Sequence, residues 1–216
     1  MNNIKFIITI ISLVLLSGCG STNSTSRPAD EEMINDNLER IVIHGNYFKH
    51  EDEKEINADA DLIVIASSND SFLNREHVAT YTPAEGELSE SLEDFYTKNT
   101  IKIKDILKSE EGSDIKIGSE IDVIEPVAIV ETGEGKQILT TENYLEMEED
   151  TDYIIYLKRN TYGEYGVINM NNGRFNLESE DQIVNLNEHN HDNDKEEHEA
   201  FKKDVFERYA EEIEDY

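Results

Sequence analysis

Cysteine is almost absent from this chain, whose 216 residues contain one, Cys19. A single thiol cannot form an internal disulfide, so packing and hydrogen bonding must stabilise the fold outside a reducing compartment. The length suits one domain of ordinary size plus a tail, which is long enough to bury a core.

Positive charge is also scarce. Lys and Arg number 19 against 49 Asp and Glu, which gives a formal net charge of −30 at pH 7. Such a surface repels nucleic acid, anionic headgroups and anionic wall polymers, and the sequence contains no local basic patch that would offset the repulsion. The composition therefore predicts no nucleic-acid partner.

Motifs for common enzyme chemistry are missing. The chain has no GxSxG motif, no Ser-x-x-Lys with its accompanying motifs and no glycine-rich phosphate loop. Carboxylate pairs are too numerous in so acidic a chain to indicate a glycosidase. Ser67 and Ser68, which end an apolar run, are the one serine pair that a hydrolase would use.

The N-terminus has the pattern of an export signal. Lys5 precedes the apolar block 6–16, as in the n-region and h-region of a signal peptide. A helix over this segment would rise less than about 20 Å, against about 30 Å of hydrocarbon, so a stable span is not expected. Ser17 and Gly18 are small enough for extended backbone to enter a protease site, and the Cys19 thiolate is suited to alkylation.

Leu16-Ser17-Gly18-Cys19 resembles the lipobox of bacterial lipoproteins, in which Leu, a small residue, and Gly or Ala precede the Cys. The resemblance implies that a signal peptidase recognises Leu16, Ser17 and Gly18 and cleaves before Cys19. It also implies that Cys19 carries diacylglycerol, whose two chains anchor a protein stably. The alternatives are an ordinary secretory signal with an incidental Cys and an uncleaved membrane anchor.

The predicted organisation has four parts. They are a signal peptide (1–18), a lipidated Cys with a flexible tether (19–29), a folded domain (30–187) and an acidic, His-containing linker with an amphipathic helix (188–216). The tether is small and polar, and about ten such residues reach roughly 17 Å.

Short apolar runs separated by turn residues predict a β-rich domain. Leu62–Ala66 and Tyr153–Leu157 are unbroken apolar runs, typical of strands buried on both faces. Asn171-Asn172-Gly173 predicts a hairpin turn between strands at 167–170 and 174–177. Further expected strands are 41–44 with 47–48, 77–81, 95–107, 115–117, 121–124, 127–130 and 137–140, with a charged turn or short helix at 51–56. The fold class is therefore mainly β (α+β), a small antiparallel barrel or sandwich with a C-terminal amphipathic helix.

The C-terminal helix carries one apolar stripe. Phe201, Val205, Tyr209 and Ile213 follow a spacing of four residues. We expect the stripe to dock on the barrel; the alternative is a helix that binds a partner or a membrane surface.

Half of the six histidines lie within residues 189–198. His189, His191, Asp194 and His198 are suitable zinc ligands, and Asp194 and His198 share a helix face. A solvated linker has the same composition, and an HExxH spacing is absent. The sequence predicts no cofactor, and the alternative is a zinc ion bound by these four residues.

A calcium loop fails its spacing test. Asp192-x-Asp194-x-Glu196 begins like an EF-hand, but the sixth and twelfth positions hold Glu197 and Lys203 in place of Gly and Glu. The sequence therefore predicts no specific calcium site.

Five tyrosines lie within the 22 residues 144–165. They are Tyr144, Tyr153, Tyr156, Tyr162 and Tyr165. They would line a sugar- or peptide-binding face or, as is commoner in strands, pack across strands in the core.

Four segments together resemble a group of uncharacterised small Gram-positive lipoproteins and surface proteins. They are Ala60-Asp61-Leu62-Ile63-Val64, Asp105-Ile-Leu-Lys108, Gly118-x-x-Ile121-x-Val123 and Tyr153-Ile-Ile-Tyr-Leu157, within about residues 59–177. The resemblance implies a fold and carries no activity.

The sequence thus predicts a lipoprotein anchored at the outer face of the cytoplasmic membrane of a Gram-positive bacterium. Its domain would be a non-enzymatic binding or interaction module for an unknown protein or small molecule. The alternative is a zinc-binding lipoprotein that uses His189–His198, and a cell-envelope hydrolase comes third.

Overall fold

The computed structural model describes residues 38–83, 91–179, 181, 191–214 and 216, with the backbone alone for 191–194. Strands account for 45% and helices for 18%, which confirms the mainly β prediction. The elements are β1 (Arg40–Ile43), α1 (Glu53–Asp59), β2 (Leu62–Ser68), β3 (Glu76–Thr82), β4 (Ser91–Ser109), β5 (Glu120–Glu125), β6 (Val127–Thr132), β7 (Gly135–Thr141), β8 (Asp152–Arg159), β9 (Tyr165–Val167), β10 (Arg174–Asn176) and α2 (His191–Arg208).

Five strands close into a barrel in the circular order β2-β4-β5-β9-β8. All neighbours are antiparallel except β5 and β9, which run parallel with Val123 opposite Tyr165. This order, with the third and fifth barrel strands in parallel, is the strand arrangement of the OB-fold, a five-stranded Greek-key barrel. A fold of this kind hosts many functions and does not by itself assign one.

The barrel interior is filled by side chains that alternate along its strands. Ile101 and Ile103 point inward from β4, while Lys102 between them is exposed. The other buried members are Leu62, Val64, Ala66, Val123, Met147, Tyr153, Ile155, Leu157 and Tyr165.

The two helices cover the outer face of β2 and β8. Every residue of β2 is buried, because its alternate side chains Ile63 and Ile65 pack under the helices. Phe201 and Val205 from α2, and Tyr209 directly after it, enter the same cluster. The predicted docking of the C-terminal apolar stripe on the barrel is therefore confirmed.

A second sheet, of order β1-β7-β6, packs against the extension formed by β3 and the first half of β4. Its apolar contacts join Ala128, Val130 and Leu139 to Ala79 and Phe95. β1 runs parallel to β7, whereas β6 and β7 form an antiparallel hairpin that turns at Gly133-Glu134.

The sequence motif ending in Lys108 serves the fold. β2 and β4 pair with Ile63 opposite Lys108. The Lys108 ammonium donates hydrogen bonds of 2.5 Å to the Asn57 and Ala60 carbonyls at the end of α1. A cation at a helix C-terminus satisfies orphan carbonyls and opposes the helix dipole.

Four local predictions are wrong. Tyr47-Phe48 and 115–117 lie outside strands, and β4 is longer than expected because its first half leaves the barrel to pair with β3. The strands around Asn171-Asn172-Gly173 do not form a hairpin, since both β9 and β10 pair with β8. Asn169 and Met170 adopt positive φ, and a Cβ at Gly173 would lie 1.6 Å from the Ile168 carbonyl oxygen, so this turn redirects the chain along β8.

Candidate functional site

The lipobox and part of the histidine segment lie outside the described residues. These are Leu16, Ser17, Gly18, Cys19 and His189. The backbones of His191 and Asp194 lie in the first turns of α2, and their side chains are not described. Lipidation at Cys19 therefore stays a prediction, and so does the zinc site as a whole.

His198 is buried and both of its ring nitrogens have partners. Nε2 lies 3.1 Å from Asp181 Oδ2, and Nδ1 lies 2.9 Å from Asn172 Oδ1. The Asn172 amide nitrogen donates to Glu197, so its oxygen faces the ring. Both ring nitrogens are thus occupied by protein partners, and a metal would have to displace one of them.

Asp181 collects three basic side chains in what we name the Asp181 clasp, formed by Asp181, Arg174, His198 and Lys202. Its carboxylate lies 3.2 Å from the Arg174 guanidinium and 3.1 Å from both His198 and the Lys202 ammonium. The Asp181 side chain is 1% exposed. Burial alone would raise the pKa of Asp181, but the hydrogen bond from His198 and the charges of Arg174, His198 and Lys202 lower it to about 2.

Aromatic rings complete the surroundings of the clasp. The Arg174 guanidinium lies over Tyr144 and Tyr153, with 5.6 and 5.3 Å to the ring centroids. Phe175 stacks on His198 at a centroid distance of 5.2 Å. The clasp thus fastens α2 to β10 and the barrel, and its ionic groups are already paired with one another. We therefore assign it a structural role.

A second buried polar group, the Glu125 network, lies where β5 leaves the barrel. Glu125 and Arg75 form an ion pair of 2.9 Å in which both side chains are 0% exposed. Asn99 donates to the same carboxylate oxygen at 2.7 Å. The other oxygen accepts from the Tyr144 hydroxyl and the Met147 backbone N–H at 3.0 and 2.9 Å. Four donors satisfy this carboxylate, which leaves it no free acceptor site.

Ser68 belongs to the same network. Its hydroxyl contacts Asn99 Oδ1 at 2.7 Å and the Asp70 carbonyl at 3.0 Å, both of which are acceptors. Neither partner is a general base of the kind that activates a serine nucleophile. The geometry that would support a hydrolase, Ser68 beside a buried His, is thus not found among its described hydrogen-bond partners.

Four of the five clustered tyrosines are core residues and one is not. Tyr144, Tyr153, Tyr156 and Tyr165 are at most 7% exposed, whereas Tyr162 is 87% exposed. Tyr162 occupies the loop between β8 and β9, at the barrel end that also presents the β4–β5 loop. In that second loop Ile117 is 65% exposed.

The Tyr162 loop is held by its own hydrogen bonds. Asn160 Oδ1 accepts from the backbone N–H groups of Tyr162 and Glu164, each at 2.9 Å. Arg159 donates to the Gly163 carbonyl and lies 4.3 Å over the Tyr165 ring. The exposed ring is therefore presented on an ordered turn, which lowers the entropic cost of using it in a contact.

The outer surface of β4 and β5 combines lysines with acidic neighbours. The Lys98 ammonium lies 3.9 Å from both Glu76 and Glu164. Lys102 stands opposite Glu120 in the strand register. This part of the described surface has no surplus of the positive charge that nucleic-acid binding requires.

Sequence reasoning missed both buried ionic groups. Glu125 ends an apolar strand beside Pro126, where a carboxylate is ordinarily a turn residue, and Arg75 lies 50 residues away in the chain. Asp181 follows an acidic stretch from which nothing distinguishes it. The interrupted apolar pattern at Asn99 and Glu125 was the one available signal.

Two further features, a metal-binding cluster and a membrane-spanning helix, are absent from the described residues. Among the side chains that the structure describes, no group of three or more His, Cys, Asp or Glu is arranged to hold a metal ion. None of the described helices has the length and apolar character needed to cross a membrane. No protein-family model, curated protein or solved structure matched this chain.

Proposed function

We propose that this chain is a membrane-anchored extracytoplasmic lipoprotein whose barrel acts as a non-enzymatic binding module. The observation that carries the anchor is the Leu16-Ser17-Gly18-Cys19 lipobox behind a short apolar block. The predicted tether (19–29) would hold the domain within roughly 17 Å of the lipid. The barrel would then sit close to the headgroups, and its negative charge disfavours contact with anionic lipid.

Two features support a binding role. The buried polar side chains that chemistry would use, Ser68, Glu125 and Asp181, are engaged by structural partners. By contrast, Tyr162 and Ile117 are displayed on neighbouring loops at one barrel end. Exposed aromatic residues on ordered loops are the usual anchors of binding interfaces. The proposed ligand-binding surface is this barrel end.

Cys19→Ser is expected to move the protein from the membrane fraction to the soluble or secreted fraction, because serine cannot accept the thioether-linked diacylglycerol. Cell fractionation and the intact mass of the purified protein measure both effects. Ser21→Ala, which leaves the lipobox unchanged, is the matched control and should stay in the membrane fraction. Retention of the Cys19→Ser protein at the membrane would contradict the lipid anchor.

A ligand that binds the barrel end should raise the melting temperature of the wild-type protein. Tyr162→Ser is expected to abolish that increase. The probes are a panel of peptides and oligosaccharides screened by thermal shift. Phe48→Ser is the matched control, since Phe48 is 78% exposed on a different segment, between β1 and α1. The binding-module proposal fails if no member of the panel shifts the wild-type melting temperature, or if the two variants lose the shift equally.

A further inference from the structure

The Asp181 clasp and the Glu125 network meet at one side chain, Tyr144. Its hydroxyl donates to the Glu125 carboxylate at 3.0 Å, and its ring centroid lies 5.6 Å from the Arg174 guanidinium of the clasp. Burial and the Glu125 carboxylate raise the pKa of Tyr144 well above its ordinary value, so the hydroxyl keeps the proton that it donates. One neutral, fully buried residue therefore contacts both networks.

The two contacts of Tyr144 strengthen each other. Donation toward the Glu125 carboxylate increases the electron density of the aromatic ring, and a more negative ring face attracts the Arg174 guanidinium more strongly. The charge of Arg174 in turn makes the hydroxyl a better donor. An unbroken path of buried side chains thus joins α2 to the connection between β2 and β3; its members are His198, Lys202, Asp181, Arg174, Tyr144, Glu125 and Arg75.

The loop between β7 and β8, residues 142–150, carries Tyr144 and makes a second contact with the Glu125 network. The Met147 N–H donates to the Glu125 carboxylate at 2.9 Å, and the Met147 carbonyl accepts from the Arg75 guanidinium at 2.6 Å. The backbone of this loop is therefore held by the same ion pair to which Tyr144 is bonded.

The same loop contains backbone strain near both of its ends. Glu142 and Asn143 have φ values of 49° and 59°, and Asp150 has a φ of 57°. Residues other than glycine rarely occupy this left-handed region, and they stay there when surrounding contacts hold them. Loss of contacts from either network would favour relaxation of the loop. The loop is thus an element whose conformation both networks bias.

We propose that the 142–150 loop couples α2 to the Glu125 network through Tyr144, so that release of α2 from the barrel also opens the loop around Met147. The position of α2 is thereby transmitted to Arg75, at the connection between β2 and β3. Such coupling is reciprocal, so weakening the Glu125 network must loosen α2 by the same factor. The coupling depends neither on the proposed anchor nor on the proposed ligand-binding surface.

Amide hydrogen exchange of the full chain, measured by NMR in detergent at constant pH, tests the coupling. In Asp181→Asn, which weakens the docking of α2, the protection of the Met147 amide is expected to fall about tenfold. In Glu125→Gln, the Val205 amide of α2 should lose protection by the same factor. Val130→Ala, in a separate apolar cluster, is the control for general destabilisation and should change both amides less than twofold. Equal losses in Val130→Ala, or an unchanged Met147 amide in Asp181→Asn, would overturn the proposal.

Tyr144→Phe isolates the role of the hydroxyl, because it keeps the ring beside Arg174 and removes the bond to the carboxylate. In this background Asp181→Asn should change the protection of the Met147 amide less than twofold. Tyr165→Phe alters a buried tyrosine outside both networks and should leave the tenfold effect intact. If the effect persists in the Tyr144→Phe background, Tyr144 does not couple the two networks.

The wild-type protein decides the question if Asp181→Asn does not fold. In low concentrations of urea, the Met147 and Val205 amides should lose protection with one common dependence on urea concentration, while the Ile65 amide in β2 is still protected. Separate dependences for the two amides, or a loss only together with Ile65, would reject the coupling.

Discussion

Glu125→Ala is expected to lower the free energy of unfolding by about 3–5 kcal/mol, the largest effect of any single substitution proposed for this chain. The variant leaves the Arg75 guanidinium buried without its carboxylate and removes the acceptor of Asn99, Tyr144 and the Met147 N–H. Urea unfolding followed by circular dichroism measures the change. Glu131→Ala, an exposed glutamate on the adjacent strand β6, is the matched control and should change stability by less than about 0.5 kcal/mol.

The ion pair between Arg75 and Glu125 adds less to the free energy of unfolding than the loss of one partner removes. Removing two buried charges from water is costly, and their attraction only roughly repays that cost. Arg75→Met combined with Glu125→Leu should therefore recover only the part of the loss that comes from the unpaired Arg75, because Asn99, the Tyr144 hydroxyl and the Met147 N–H still lack their acceptor. If the double variant is as unstable as Glu125→Ala, the penalty does not come from an unpaired Arg75.

Asp181→Asn is expected to cost about 3 kcal/mol and to release α2 from the barrel. The amide that replaces the carboxylate leaves Arg174 and Lys202 without a counter-charge in a buried site. Hydrogen exchange at the Val205 amide, in the buried stripe of α2, reports the release. Asp204→Asn, an exposed neighbour on the same helix, should leave that exchange unchanged. Unaltered protection of Val205 in Asp181→Asn would show that apolar packing alone holds the helix.

Acid should reproduce part of this effect in the wild-type protein. Because the pKa of Asp181 is lowered from 3.8 to about 2, its contribution is complete above 3.8 and is lost as the pH falls through about 2.

The parts of the fold that could be predicted are those in which burial repeats along the chain. Leu62–Ala66 and Tyr153–Leu157 are covered on both faces, by barrel interior and helices, and their unbroken apolar runs reveal it. The apolar stripe of α2 could likewise be predicted, because its residues follow a helical spacing of four. The Asn171–Gly173 turn misled because its residues permit several tight turns, and contacts with β8 decide which one forms.

The polar groups were unpredictable for a different reason. Arg75 meets Glu125 across 50 residues, and His198 meets Asp181 across 17. In a chain with 49 acidic residues, nothing local marks Glu125 and Asp181 as carboxylates that become buried. The sequence indicated His198 as a metal ligand because of the histidine-rich composition of residues 189–198 and its helical spacing from Asp194. Its hydrogen bonds to Asn172 and Asp181 depend on tertiary structure and could not be predicted.

The closure of the barrel has a consequence for how the chain reaches this fold. β2 lies between β4 and β8, and its pairing with β8 joins residues 62–67 to 152–157. Contacts between segments so far apart form late, because a long loop must close first. Until β8 arrives, one edge of β2, the most apolar strand, stays open to pairing with another chain. We therefore expect slow refolding that is sensitive to protein concentration, and aggregation of chains truncated before residue 152.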